Sequence, residues 1–418
     1  MSERSDILIA GAGAAGLTLG IALAGAGFEV TIAGRLDLRR NGRTVALFEA
    51  SLRFYRALGL WDRFASEAAP LAITRIIDDT GSAFHPPPAE FHAAEIGLPA
   101  LGQNIENADL VAELAAAARQ TPGLRLIEGF FTDYAFRPES VAAILEDGRQ
   151  CEAALIVGAD GRGSPLRAAA GIAVREWSYP QVALTAILSH AESHLDTSTE
   201  FHTREGPFAL VPLPPRAGRP HRSSLVWLMS PRAAERRLAL DDAALAAEIE
   251  QHAHGMLGAM ALEGERGSFP MNGMRALRLT GPRLVLVGDA GHFFPPIGAQ
   301  GLNLGLRDVA ELVECLEGAA DAGAPAALDR YEQRRAADVV SRTLSIDLLN
   351  RSLLFDLPPV DFVRAAGMVA IRAIGPLRRA VMREGILPRG RLPRLMREPG
   401  ASTRKPGPAD GQTGLGNG

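Results

Sequence analysis

The chain has 418 residues, of which 47% are hydrophobic and 22% are charged, a composition typical of soluble globular proteins with two or three domains. Its formal net charge of −4 argues against a dedicated nucleic-acid binder. The only cysteines, Cys151 and Cys315, exclude a disulfide framework and a cysteine zinc site, and the single lysine, Lys405, excludes a phosphate-binding loop lysine and an internal Schiff base. No metal site is expected.

Residues 7–28 carry no charge and are long enough to span a membrane. They include six glycines, however. Glycine at that density disfavours one continuous helix and favours a strand, a tight turn and a closely packed helix. We therefore expect a cytoplasmic protein without a membrane span, and export through a signal peptide is disfavoured.

The same stretch predicts a strand–helix–strand unit. The apolar run ending at Ala10 predicts a strand, residues 14–24 predict a helix, and Val30–Ala33 predicts a second strand. Gly11-Ala-Gly-Ala-Ala-Gly16 stands between the first strand and the helix, which is the context that a dinucleotide fingerprint requires. The sequence therefore predicts a nucleotide cofactor at this turn.

Each glycine of the fingerprint has its own expected task. Gly11 permits the tight turn, Gly13 lets the backbone approach a pyrophosphate, and Gly16 brings the helix against the strand. The free N–H groups at the start of the helix, around Ala14 and Ala15, face the phosphates.

The acidic residue that normally ends the second strand and binds the adenosine ribose is missing. Gly34 and Arg35 follow the strand instead, and the nearest acid is Asp37. Arg35 could indicate a 2′-phosphate and hence NADP, or the ribose contact could have moved to the backbone or to Asp37. If Gly34 has only lost a carboxylate, Gly34→Glu should be tolerated or should tighten FAD binding.

Two later segments repeat the plan of a buried strand followed by an acidic turn. Residues 155–167 place Asp160 after a strand, and residues 284–305 place Asp289 after another. Open α/β sheets bind ligands at the carboxyl ends of their strands. The second segment also opens a helix, and its amides between Gly298 and Asn303 suit the electron-rich pyrimidine edge of a flavin.

These three motifs resemble those of the group A flavoprotein aromatic hydroxylases, which have the para-hydroxybenzoate hydroxylase fold. Further segments are similar to the ubiquinone-biosynthesis hydroxylases, especially the alphaproteobacterial branch; they are residues 42–47, 59–62, 102–110, 206–213, 296–303, 350–353 and 375–379. The resemblance implies an α/β protein with an FAD-binding Rossmann-like domain, an inserted antiparallel β-sheet domain and C-terminal helices.

The resemblance also implies an activity. We expect hydroxylation of a polyprenylated phenol or quinone precursor of ubiquinone, with FAD as cofactor and with NAD(P)H and O2 as co-substrates. The alternatives are hydroxylation of another aromatic, a flavin-dependent prenyl reductase, and a non-catalytic FAD-fold scaffold of a biosynthetic complex. A flavin halogenase would need a lysine near the flavin. The single lysine of this chain, Lys405, lies in the C-terminal tail, which excludes that activity.

Site residues follow from the resemblance position by position. The cofactor-binding set is Gly11, Gly13, Ala14, Ala15, Gly16, Arg43, Asn107, Asp160, Asp289, Pro296, Gly298, Gly301, Leu302 and Asn303. Within it, Arg43 lies near the pyrophosphate, Asn107 and Asp289 lie near the ribityl chain, and Asp160 sits in a turn associated with FAD and the nicotinamide donor. No general base is identified, and the loop of Pro295 and Pro296 is the only catalytic candidate.

The chain is expected to divide into discontinuous domains. Residues 1–75, 95–172 and 270–345 form the FAD-binding domain, and residues 76–94 and 173–269 form the substrate-side sheet. A helical segment covers residues 346–398, and residues 399–418, rich in Gly and Pro, form a disordered tail.

Several residues allow two interpretations. His292 could act as a general base, but a structural role for this histidine is favoured. His202 and Trp227 could line a pocket for the aromatic substrate, but packing in the protein core is favoured for both. The arginine-rich segment 364–397 is either a structural cap or a surface that approaches anionic lipid on the inner face of the membrane. The chain could also assemble into a ubiquinone-biosynthesis complex or a homo-oligomer, and the sequence does not choose between these two.

Overall fold

The computed structural model describes residues 3–81, 87–295, 300–354, 369, 372–387 and 391–398. The described helices are α1 (Ala14–Gly25), α2 (Glu49–Ala57), α3 (Trp61–Phe64), α4 (Asn107–Gln120), α5 (Pro165–Ala169), α6 (Pro231–Leu238), α7 (Asp242–His252), α8 (Gln300–Leu316), α9 (Pro325–Leu354) and α10 (Gly375–Ile386). The expected tail at 399–418 lies outside the described residues.

A six-stranded sheet forms the centre of the first layer. In spatial order its strands are β19 (Thr280–Gly281), β20 (Leu284–Leu286), β13 (Leu155–Gly158), β2 (Ile7–Ala10), β3 (Val30–Ala33) and β9 (Leu124–Ile127). All pairs except β19–β20 are parallel. Helices α1, α4 and α8 bury their apolar residues together with this sheet, as expected for a parallel sheet covered on its faces.

An eight-stranded, largely antiparallel sheet forms the second layer. In spatial order its strands are β21 (His292–Phe293), β18 (Met260–Ala276), β14 (Val174–His190), β17 (Arg222–Met229), β16 (Gly206–Leu213), β15 (Thr197–Thr203), β6 (Ile73–Asp78) and β7 (Ala89–His92). Residues of α6 and α7 pack on one face of it. The opposite face is turned towards the FAD-binding layer.

Two smaller sheets complete the described strands. One contains β1 (Glu3–Arg4), β12 (Gln150–Ala153), β11 (Val141–Leu145) and β10 (Phe131–Phe136); the other contains β4 (Thr44–Phe48), β8 (Gly102–Glu106) and β5 (Ala68–Pro70).

A buried ionic group joins the eight-stranded sheet to the three-stranded sheet. Arg222 of β17 is 1% exposed and contacts Glu106 of β8 at 2.9 Å and Glu263 of β18 at 3.0 Å. Arg40 approaches Glu106 from the other side, at 2.9 Å. Because removing one partner of a buried ion pair leaves an uncompensated charge, this group ties the three-stranded sheet to the eight-stranded sheet.

Candidate active site

The carboxyl ends of three neighbouring strands meet at one edge of the six-stranded sheet. Gly11 follows β2, Asp160 follows β13 and Asp289 follows β20, and these strands are adjacent in the sheet. The topology therefore brings together the three motifs that are far apart in the sequence.

The fingerprint turn combines close contacts on one side with open space on the other. A Cβ atom at Gly11 would lie 2.2 Å from the Ala159 carbonyl oxygen, and one at Gly16 would lie 2.1 Å from the Gly11 carbonyl oxygen. A Cβ atom at Gly13 would meet nothing within 4 Å. Helix α1 has no side-chain cap and no acid in its first turn, so its first N–H groups are free to bind an anion.

Gly34 is required for a steric reason that the sequence did not indicate. A Cβ atom there would lie 2.2 Å from the Ala12 backbone nitrogen and 2.8 Å from the Ala12 Cβ atom. The expectation that Gly34→Glu is tolerated is therefore wrong. The chain passes so close to the fingerprint at Gly34, directly after β3, that this position has no room for a side chain.

The two residues considered for the adenosine end are both engaged with the protein. Arg35 pairs with Glu146 at 3.0 Å and lies over the Phe130 ring, 4.7 Å from its centroid. Asp37 accepts a hydrogen bond from Arg39 at 2.8 Å, and that hydrogen bond lowers the pKa of Asp37. The interpretations of Arg35 as a 2′-phosphate ligand and of Asp37 as a ribose ligand gain no support from these contacts.

Asp160 and Asp289 both retain unused acceptor capacity. Asp160 Oδ2 accepts from the Leu166 N–H at 3.2 Å, whereas its buried Oδ1 has no partner. Asp289 forms no side-chain hydrogen bond or ion pair with any described residue. Burial raises the pKa of both carboxyl groups. The buried Oδ1 of Asp160 fits a hydroxyl donor of a bound ligand, because buried polar atoms are otherwise satisfied.

Arg43 lies between the two layers. Its guanidinium carbon is 5.6 Å from the Phe269 ring centroid, and its carbonyl accepts a hydrogen bond from the Asn107 N–H at 3.0 Å. Asn107 begins α4. The loop before Arg43 is fixed on the sheet because Thr185 donates to the Asn41 carbonyl at 3.2 Å.

The start of α8 holds the remaining predicted residues. The side chain of Asn303 is 5% exposed; its Oδ1 accepts from the Phe48 N–H at 2.9 Å, and its Nδ2 donates to the Ala46 carbonyl at 2.7 Å. Its side chain therefore links α8 to β4. A Cβ atom at Gly301 would meet nothing within 4 Å, and Leu302 is partly buried beside it.

The expected catalytic loop is described only in part. Pro295 is buried and ends the described stretch. Pro296 and Gly298 lie outside the described residues.

An apolar wall on the eight-stranded sheet leads to this region. Tyr179, Leu228 and Met271 are buried together, with Trp177 and Val226 packed against them. Trp177 also packs against a second pair, Phe294 and Leu304, of which the first precedes the Pro295 loop and the second lies in α8. Its indole N–H donates to the Tyr179 hydroxyl at 3.0 Å. The alternation of β14 could have indicated this wall, but the sequence analysis did not identify it.

The aromatic and histidine candidates each contact other residues of the protein. Trp227 is fully buried on the opposite face, where its ring centroid is 5.1 Å from that of Phe208. His202 contacts Glu200 at 2.9 Å, and His292 is buried in contact with Asp308 at 2.6 Å. In the described part of the chain, no group of three or more histidine, cysteine, aspartate or glutamate residues is arranged to hold a metal ion.

Comparison with known proteins identifies the family. The profile of the family described as FAD binding domain matches residues 4–344. The ubiquinone hydroxylase UbiL of Rhodospirillum rubrum is 36% identical, over 94% of this chain and 92% of its own length. The chain belongs to this family of FAD-dependent monooxygenases. The 3-demethoxyubiquinol 3-hydroxylase of Escherichia coli is a second relative of the flavoprotein, 32% identical over 91% of this chain and 98% of its own length.

Solved structures agree with the fold of the flavoprotein. p-Nitrophenol 4-monooxygenase from Pseudomonas putida has a TM-score of 0.76 at 16% identity, covering 91% of this chain and 97% of its own. HpxO from Klebsiella pneumoniae, complexed with FAD and uric acid, has a TM-score of 0.73 at 19% identity, covering 92% of this chain and 97% of its own. The expected α/β architecture and the expected FAD cofactor are confirmed.

Proposed function

We propose that this flavoprotein hydroxylates the aromatic ring of a polyprenylated phenol or quinone precursor in ubiquinone biosynthesis, with NAD(P)H and O2 as co-substrates. The observation that carries the proposal is the apolar wall around Trp177, which contacts α8 through Leu304 at the proposed flavin site. The 36% identity to a ubiquinone hydroxylase supports the choice of substrate.

The cofactor would be held by groups already described. Gly13 and the free amides of α1 would hold the pyrophosphate, Asp289 would accept hydrogen bonds from ribityl hydroxyls, and the amides from Gly301 to Asn303 would face the pyrimidine edge. The buried Asp160 Oδ1, which has no hydrogen-bond partner, and the open space at Gly13 fit FAD in these positions. Bound FAD supplies the electron transfer and oxygen activation that side chains do not provide.

The protein contributes orientation and exclusion of water. Trp177 and Val226, the partly exposed members of the wall, offer an apolar surface on which a ring can be placed against α8, and the buried Leu228 and Met271 support them from behind. A closed apolar site also protects reactive species from hydrolysis. Tyr179 is the one hydroxyl-bearing member of the wall.

The experiment that tests this proposal is profiling of quinone intermediates by mass spectrometry in a strain lacking the protein. The expected result is accumulation of a prenylated precursor that lacks one ring oxygen. Complementation by the native chain in 18O2 should label the restored oxygen. An unchanged quinone profile would contradict the proposal.

The same experiments separate the two remaining alternatives. A prenyl reductase would change the degree of saturation of the tail and would incorporate no 18O. A scaffold would be purified without flavin absorbance and would stay empty when FAD is added.

We also propose that the flavoprotein binds its substrate from the inner membrane surface without spanning the bilayer. No helix in the described part of the chain combines the length and the apolar character that a bilayer crossing needs. In and before α10, Ile374, Leu377 and Val381 are 41–49% exposed. Within the described residues, Arg379 and Arg383 form no ion pair, which leaves their charges available to anionic lipid.

This arrangement changes the choice of test residues. Arg378, which the sequence grouped with the other arginines, contacts Glu95 at 2.6 Å and therefore attaches α10 to the protein. The test variant is accordingly Arg379→Glu with Arg383→Glu. Arg119→Glu with Arg232→Glu is the control, because it makes the same change in net charge at two other exposed sites.

Vesicles of neutral phospholipid with and without anionic phospholipid provide the assay. The test variant should lose binding to anionic vesicles and turn over prenylated substrate more slowly, while its activity on a short-chain soluble phenol is retained. The control should behave like the native chain. Equal loss on both substrates, or unchanged binding, would identify α10 as a structural cap only.

The division into an FAD domain and a substrate-side sheet, with the bounds given above, also stays a proposal. Two features of the structure refine it. Strand β18 continues past residue 269 to Ala276, and helix α9 runs across the expected boundary at residue 345. A ubiquinone-biosynthesis complex and a homo-oligomer remain the proposed assemblies.

A further inference from the structure

The turn that carries Asp289 is one 3-10 turn, Gly288–Ala290, at the end of β20. Gly288 is left-handed, with φ +57°. The Asp289 side chain forms no hydrogen bond or ion pair with any described residue. The direction in which its carboxylate points is therefore set by the backbone of the turn and not by side-chain contacts.

Two side chains hold that backbone: Arg167 donates to the Ala290 carbonyl at 2.8 Å, and Asp308 ties the turn to α8. Asp308 Oδ2 accepts from the Gly288 N–H at 2.8 Å and contacts His292 Nε2 at 2.6 Å. These two contacts bracket Asp289 along the chain. Asp308 is fully buried, so neither contact competes with water.

The other carboxylate oxygen of Asp308 is anchored from α9. Arg335 Nε donates to Asp308 Oδ1 at 2.6 Å, and Arg335 is itself held by Asp338 at 2.6 Å. Burial would raise the pKa of Asp308, but the charges of His292 and Arg335 outweigh it and hold that pKa below its usual range. Asp308 is therefore a carboxylate that accepts hydrogen bonds at both oxygens.

We infer that Asp308 is a positioning residue for FAD: it locks the Asp289 turn to α8, so that the proposed ribityl and pyrimidine contacts keep a fixed mutual distance. The same helix begins with Gly301, Leu302 and Asn303, whose amides face the proposed flavin ring. Gly305 supports this link, since a Cβ atom there would lie 3.1 Å from the Gly288 Cα atom. The inference rests on the proposed role of Asp289.

The isosteric variant Asp308→Asn tests the inference. Either amide orientation places an NH2 group against a donor, the Gly288 N–H on one side or the Arg335 Nε–H on the other. Asp338→Asn is the matched control, because Asp338 binds the same Arg335 and does not contact the turn. Both variants disturb the α8–α9 pair, but only the first disturbs the turn.

The measurements are the FAD dissociation constant, the visible circular dichroism of the bound flavin and the melting temperature of the apoprotein. Asp308→Asn should weaken FAD binding by on the order of tenfold to a hundredfold, the range for residues that orient a ligand-holding side chain, and should change the dichroism. Asp338→Asn should lower the melting temperature with less than about a threefold effect on FAD. An equal loss of FAD affinity in both variants would overturn the inference.

Two further variants keep the result interpretable. His292→Leu removes one contact to Asp308 while Arg335 still pairs with that carboxylate. If Asp308→Asn fails to fold, His292→Leu should weaken FAD binding, and unchanged affinity in that case would overturn the inference. Asp289→Ala separates the two levels of the argument. If Asp289→Ala leaves FAD affinity unchanged, the proposed ribityl role fails, whereas a loss there with none in Asp308→Asn or His292→Leu refutes the positioning role alone.

Discussion

Substitutions at Gly13 and Gly34 should have different effects on the stability of the apoprotein. Gly13 has φ −79° and ψ 178°, which any residue adopts, and a Cβ atom there meets nothing within 4 Å. Gly13→Val should therefore change the free energy of unfolding of the apoprotein by less than about 1 kcal/mol. A Cβ atom at Gly34 would lie 2.2 Å from the Ala12 backbone nitrogen, more than 1 Å inside ordinary contact distance.

Because backbone atoms cannot rotate away, Gly34→Ala must displace the fingerprint turn or the end of β3. Overpacking of this kind costs about 1–3 kcal/mol, and the backbone contacts place Gly34→Ala near the upper value. Its FAD affinity should fall as well, because the turn that moves is the one that holds the pyrophosphate. Gly13→Val should lose FAD affinity too, because its side chain occupies the space that the pyrophosphate needs.

Urea unfolding of both apoproteins and FAD titration followed by flavin fluorescence provide the assay. The expected result is a stable Gly13→Val apoprotein that does not bind FAD and a destabilised Gly34→Ala apoprotein. Gly25→Ala, which also meets nothing within 4 Å but lies at the far end of α1, is the control for inserting a methyl group. Full FAD affinity in Gly13→Val would refute the assignment of the open space, and an undisturbed Gly34→Ala would refute the steric argument.

Three other predictions follow from the site. Asp289→Ala should weaken FAD binding by about 1.5–3 kcal/mol, the value for hydrogen bonds to a charged group, as measured by FAD titration. Burial raises the pKa of Asp289 in the folded chain, so its ionisation costs stability. The Asp289→Asn apoprotein should therefore be more stable than the native apoprotein at pH 7, and urea unfolding should show this advantage shrinking as the pH falls towards the ordinary aspartate pKa of about 3.9. Gly273→Ala would put a Cβ atom 2.1 Å from the Trp177 ring and should raise the KM for the aromatic substrate while FAD affinity is retained.

Local patterns in the sequence predicted much of the FAD-binding layer. The strand, the glycines and the helix of the fingerprint are contiguous, and the turns of Asp160 and Asp289 each follow an apolar run directly. Parallel pairing then brings these strand ends together, because all three strands point the same way. The sequence therefore predicted that a site exists at these strand ends. It did not predict the role of each residue in that site.

Contacts between distant segments were not readable in the same way. The need for Gly34 arises from its approach to Ala12, and the attachment of Arg378 depends on Glu95, which is 283 positions away. The register of β14 shifts between Ser178 and Val182, so simple alternation does not show which side chains form the wall. The proposed role of Asp308 depends on its contact with the turn Gly288–Ala290, which lies before α8 in the chain. No local sequence pattern in α8 indicates that contact.

The strand order of the central sheet also has a consequence for the order of synthesis. Strand β13 pairs with β2 on one side and with β20 on the other, and β20 emerges from the ribosome only roughly 130 residues after β13. At 5–20 residues per second, that edge stays unpaired for about 6–25 s, and unpaired edges promote aggregation. Fragments that end before Leu286 should consequently be insoluble, so that the shortest soluble N-terminal product of limited truncation extends through β20.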